Sequence, residues 1–144
     1  MPQNSSWISA LDDAAIAALG QSLRKIDPSY LKVSPSPDTQ RVWYQGKESY
    51  FDVMAERQNG QISWFQFTLR GKSLIWDRKH GRLRTGLTNE LDVPPDVAYY
   101  AASKTIKDDA RLNQAFVDLV KAILKTRPDE CLLQEILSLL EPKV

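Results

Sequence analysis

The chain has 144 residues, the size of one ordinary domain, and can close a hydrophobic core without disulfides or metals. Its 42% apolar and 26% charged residues match globular averages, which excludes a disordered or membrane-embedded chain, and a net charge of +1 gives no general pull toward acidic partners. Cys131 is the only cysteine, so an intramolecular disulfide is excluded and a reducing, cytoplasmic setting is expected.

The N-terminus lacks the basic start and apolar stretch of a secretion signal, and the apolar run at 14–19 is too short to span a bilayer. Ser9 three residues before Asp12 resembles a capping box, and Ile8, Leu11, Ala15, Ala18, Leu19 and Ile26 recur near helical spacing. This predicts one amphipathic helix over 9–26, stopped by Asp27-Pro28 because a residue before proline is pushed out of the helical region. The prolines of Ser34-Pro35-Ser36-Pro37 fix an extended connection over 27–38.

From 40 to 89, four glycine-bearing turns, Gly46-Lys47, Asn59-Gly60, Arg70-Gly71 and His80-Gly81, divide the chain into five strands of an antiparallel meander. Asn-Gly is the strongest of these signals, since a type I′ turn needs positive φ at both central residues. Two-residue turns fix the pairing, and the side-chain period of two then fixes the faces. One face collects Trp43, Tyr50, Met54, Phe65, Phe67, Leu69, Leu74, Trp76, Leu83 and Leu87 as the core, with Asp52 as its odd polar member at a strand end. Gly86, inside the last strand, suggests a bulge, a bend or a close backbone approach.

The other face mixes Val42, Tyr44, Phe51, Val53, Ala55, Ile62, Trp64 and Ile75 with Arg57, Gln66, Thr68, Asp77, Lys79, Arg82 and Arg84. Three readings of it stand open: the N-terminal helix covers it, a second copy of the chain covers it, or it takes a ligand or nucleic acid.

After the meander, Pro94-Pro95 can open a short helix over 95–103. Two firmer helices follow. Leu112, Phe116, Leu119, Val120 and Ile123 form one stripe, and Leu132, Leu133, Ile136, Leu137 and Leu140 form another beyond Pro128. The whole reads as an α+β fold with an N-terminal helix, a five-stranded antiparallel meander and two to three helices within 95–141 packed on one sheet face.

For chemistry the sequence offers little. His80, the only histidine, sits in a turn, and Cys131 belongs to a helix pattern with no activating neighbour, so no nucleophilic or acid–base constellation is expected. One His and one Cys do not make a zinc site, and no glycine-rich loop leads into a helix to cradle phosphates, so no metal or cofactor is expected. Asp12-Asp13, Asp108-Asp109 and Asp129-Glu130 read as capping charges at helix starts.

The leading expectation is a non-enzymatic interaction or self-associating module, binding a protein partner or forming a homodimer. Its contact residues are Tyr44, Trp64, Gln66, Asp77, Arg82 and Arg84, or a sheet edge. The alternative is single-stranded nucleic acid held by Trp64, Arg70, Lys72, Lys79, Arg82 and Arg84, cations on phosphates and the indole on bases. A third is a small-ligand or enzyme pocket between the sheet and the proline-rich connection.

Overall fold

A computed structural model describes residues 6–27, 39–88 and 106–141. The expected helix over 95–103 and residues 28–38 of the connection lie outside them.

In place of one N-terminal helix there are two, α1 (Ser6–Ala10) and α2 (Asp13–Ser22). Asp12 is the reason: its backbone is extended, at φ −90° and ψ 177°, and its carboxylate accepts the Ala15 N–H at 2.8 Å, capping α2. The cap is therefore Asp12 itself, not Ser9. The helix ends at Leu23, which is extended, and β1 (Arg24–Lys25) follows at once, before Asp27-Pro28 is reached.

The expected meander is β2 (Thr39–Gln45), β3 (Asp52–Gln58), β4 (Gln61–Leu69), β5 (Lys72–Asp77) and β6 (Leu83–Thr88). The short β1 and β7 (Ile106–Asp108) add a strand at each edge, in an antiparallel sheet ordered β1 to β7. Asn59-Gly60 and Arg70-Gly71 both have positive φ at both residues, as a type I′ turn requires. Gly86 marks no break, pairing regularly with Ser73 on one side and Asp108 on the other.

The register of β4 with β5 is the expected one, Phe67 opposite Leu74 and Phe65 opposite Trp76. Between β3 and β4 it is not. Gln58 pairs with Gln61 as the turn dictates, but the register shifts between Glu56 and Arg57, so that Glu56 faces Trp64 and Arg57 faces Ile62, leaving Ser63 as the extra residue of a bulge. One extra residue exchanges the faces of everything upstream. Val53 and Ala55 therefore oppose Phe67 and Phe65, whereas Met54 and Asp52 oppose Gln66 and Thr68. The inner face carries Val42, Tyr44, Val53, Ala55, Phe65, Phe67, Leu69, Leu74 and Trp76, while Trp43, Met54 and Asp52, expected in the main core, belong to the outer face.

The inner face is covered by α3 (Gln114–Lys125) and α4 (Cys131–Leu140), which bury Phe116, Val117, Leu119, Val120, Ile123, Leu132, Leu133 and Ile136. Leu112 precedes α3 and is exposed, outside the expected stripe. Both helices touch the sheet, and α2 packs on α3 rather than across the outer face. The approach is close at Gly20, where a methyl group would fall on the Thr126 hydroxyl. Arg127 locks it by donating from one terminal nitrogen to the carbonyls of Gly20 at 3.0 Å and Leu23 at 2.5 Å, satisfying the C-terminal end of α2.

Candidate interaction site

On the outer face one row across the strands reads Trp43, Met54, Gln66, Ile75, Arg84, and the next reads Arg41, Glu56, Trp64, Asp77. Trp64, Gln66, Asp77 and Arg84 are thus brought together as expected. Arg84 sits opposite Ile75, diagonal to Asp77, because the loop after β5 is longer than two residues. The middle of this face is closed: Trp43, Met54, Gln66, Thr68, Ser73 and Ile75 are all buried. The Trp43 indole donates to Asp52 at 3.2 Å and the Gln66 amide to Thr68 at 3.2 Å. Only the end with Trp64, Asp77 and Arg84 is half-buried, next to exposed Lys79, His80 and Arg82. Asp77 accepts from the His80 backbone N–H at 2.7 Å, the chief reason its carboxyl is held below the usual range, and its side chain also meets the His80 ring.

Three expected contact residues lie elsewhere. Tyr44 is on the inner face because of the bulge, buried, with its hydroxyl bonded to Glu130; burial first, and then that carboxylate, push its pKa far up. Lys72 is also on the inner face, 3% exposed and so closed to a phosphate backbone; burial lowers its pKa and nearby Asp109 partly restores it. Arg70 is occupied at a hairpin turn, gripping both oxygens of Glu48 at 2.9 and 2.7 Å and lying over the Trp7 ring at 5.1 Å.

The expected capping carboxylates also divide. Asp12 caps, but Asp109 accepts from the Thr85 hydroxyl, Asp129 pairs with Arg127, and Glu130 makes no side-chain cap. Cys131 is in a helix as expected, exposed at the first turn of α4.

Among the described residues, a concave feature lies between α2 and the β2–β3 loop. Ser22, at the end of α2, donates its hydroxyl to Leu19 and accepts the Lys47 backbone N–H at 3.2 Å, which ties the loop to the helix. The loop closes on itself through Gly46, whose N–H meets the Phe51 carbonyl at 2.8 Å, and the buried Phe51 ring occupies the place a side chain at 46 would need. Two hollows result. One, about 390 Å³, is lined by Leu11 and by the apolar side of α2, Ala15, Ala18 and Leu19, with Glu48 and Arg70 also lining it. The other, about 550 Å³, is polar and is lined by Ser22, Arg24, Gln45, Gly46, Lys47, Glu48 and Ser49. Ser22, Lys47 and Glu48 line both, so the two form one groove.

No family model matches this chain, and neither curated proteins nor solved structures yield a match. Functional inference therefore rests on the groove and its charges. Arg70 cancels the charge of Glu48, its hydrogen bonds holding that carboxyl below its usual range. Arg24 and Lys47 enter no ion pair among the described residues and leave the polar half positive. Among the described residues no group of three or more His, Cys, Asp or Glu could hold a metal, and no helix is long and apolar enough to cross a membrane. The sequence reading missed this groove; its one signal is the alanine run of α2, which leaves a helix face short of volume.

Proposed function

We propose that the protein is a non-enzymatic, cytoplasmic interaction module that engages another polypeptide. The observation carrying this reading is the groove beside α2, where apolar side chains of a helix stay accessible next to two cations without ion-pair partners among the described residues. An accessible apolar strip rimmed by polar groups is a common mark of a contact surface. The outer sheet face, sealed at its middle, offers less area than the sequence led one to expect. The test is photo-crosslinking in cells with a photoreactive phenylalanine in place of Ala18, and at exposed Ser138 of α4 as control. Discrete protein adducts at position 18 and none at 138 support the module; the absence of any protein adduct at 18 overturns it.

A second reading is favoured by the loop at 78–82. Exposed Lys79 and Arg82 beside half-buried Trp64 and Arg84 retain the cation-and-indole chemistry that single-stranded nucleic acid uses. Without Lys72 and with Arg70 already paired, that surface is smaller than expected. A gel shift that weakens steeply with salt and is lost in Arg82→Glu would favour it over the module.

A further inference from the structure

The two halves of the groove differ in chemistry, and together they specify an occupant. In the polar half, Arg24 comes from β1 and Lys47 from the β2–β3 loop, brought together because Arg24 pairs with Gln45. Among the described residues the one carboxylate lining that half is Glu48, and both of its oxygens are held by Arg70. An incoming anion would meet two unspent positive charges and one neutralised negative charge.

In the apolar half, Ala15 and Ala18 stop at a methyl group between the larger Leu11 and Leu19, leaving a depression of side-chain width. Small-molecule sites bury most of their ligand, whereas this groove is open along its length, a shape that suits an extended chain with its backbone in water. Among the described residues that line it, none carries an aromatic ring for a base to stack on.

We propose that the groove binds an extended segment of a partner protein in which a carboxylate neighbours an aliphatic side chain, the carboxylate between Arg24 and Lys47 and the aliphatic group over Ala15 and Ala18. The proposal rests on the interaction reading and adds the chemistry of the partner. Charge at such a rim steers encounter and selects partners, while the aliphatic anchor slows release.

The experiment follows backbone amide signals of the isotope-labelled full chain during titration with four probes. These are an acetylated, amidated octapeptide with two aspartates flanking two leucines, its lysine-for-aspartate and serine-for-leucine counterparts, and decanoate. The expected result is a response to the aspartate–leucine peptide confined to residues 11–24 and 45–49. Binding should be weaker by about tenfold or more for both counterparts and for the Arg24→Glu, Lys47→Glu double variant. Both substitutions are at exposed positions, so folding should persist, and near-ultraviolet circular dichroism checks that it does.

Equal binding of the lysine peptide, or shifts centred on 78–84, would overturn the proposal. Binding of decanoate without any peptide would overturn it in favour of a small amphiphile. A concentration-dependent mass that reverts in Lys47→Glu would overturn it in favour of a second copy of the chain. If crosslinking at position 18 finds a protein while these peptides fail, the module stands and only its chemistry is wrong.

Discussion

Phe67 is fully buried between Phe51 and Phe116, whose ring centroids lie 5.7 and 6.3 Å away, so it joins the sheet, the β2–β3 loop and α3. Phe67→Ala should cost about 3–5 kcal/mol in chemical denaturation, and a loss below about 1 kcal/mol would contradict this packing. Tyr44 gives a prediction in pH. Its phenol ionises at about pH 10 in the unfolded chain, but burial and Glu130 keep it protonated well beyond that in the folded one. The unfolded state therefore loses its proton first, so stability is intact below that pH and declines as pH rises above it. Alkaline denaturation of Tyr44→Phe should show a shallower decline than the parent, even though the variant loses a hydrogen bond at neutral pH. The glycines separate two mechanisms. Gly60, at φ 79° with open space around it, should resist a side chain through backbone strain alone, worth about 1–2 kcal/mol. Gly46→Ala should instead displace the Phe51 ring and disturb the groove loop, which amide shifts at 46–51 would report.

Among the elements, the bulge at Ser63 decides most. Arg78 N–H bonds to its carbonyl at 2.9 Å and its hydroxyl reaches the Glu56 carbonyl at 3.2 Å, so the extra residue is held from β3 on one side and from the loop after β5 on the other. Deleting Ser63 should close the bulge and leave Met54 opposite Gln66 and Asp52 opposite Thr68, because the pairs Arg57–Ile62 and Glu56–Trp64 then follow one another directly and every face is kept. The expected outcome in chemical denaturation is unfolding that stays cooperative with a loss of about 1–3 kcal/mol for the two hydrogen bonds of Ser63, and loss of cooperativity would contradict this register. Turn chemistry and helix periodicity made β4, β5, α3 and α4 legible in the sequence, because each rests on residues close in the chain. The bulge was not legible, since Ile62-Ser63-Trp64 contains no glycine or proline and the shift shows only in pairing with β3. Parity was also preserved across the two longer loops, which moved Trp43 opposite Met54 and Leu74 opposite Thr85 without changing faces. Of the candidate site, Trp64, Gln66, Asp77 and Arg84 were correctly grouped, while Tyr44 went with the flipped strands. The groove escaped notice because it joins α2 to β1 and the β2–β3 loop, segments that no local pattern connects.

Across the whole molecule, a large cluster lies between the sheet and the helices, and a small one of Trp43, Met54, Ile26 and Trp64 lies on the opposite side. A change at Trp64 should therefore reach stability as well as binding. Trp64→Ser with Arg84→Glu is expected to lower the thermal midpoint measurably, while Arg82→Glu, in the exposed loop, should leave it unchanged. Among the described residues, the Arg127 bond to Gly20 is the hydrogen bond that reaches furthest along the chain, joining groups 107 residues apart. On the ribosome, at about 5–20 residues per second, α2 would leave the tunnel on the order of ten seconds before the guanidinium that completes it. During that interval Leu19 and Leu23 lack the surface that later buries them, so a nascent chain stalled before residue 127 should present this segment to chaperones and proteases, and one released past it should not.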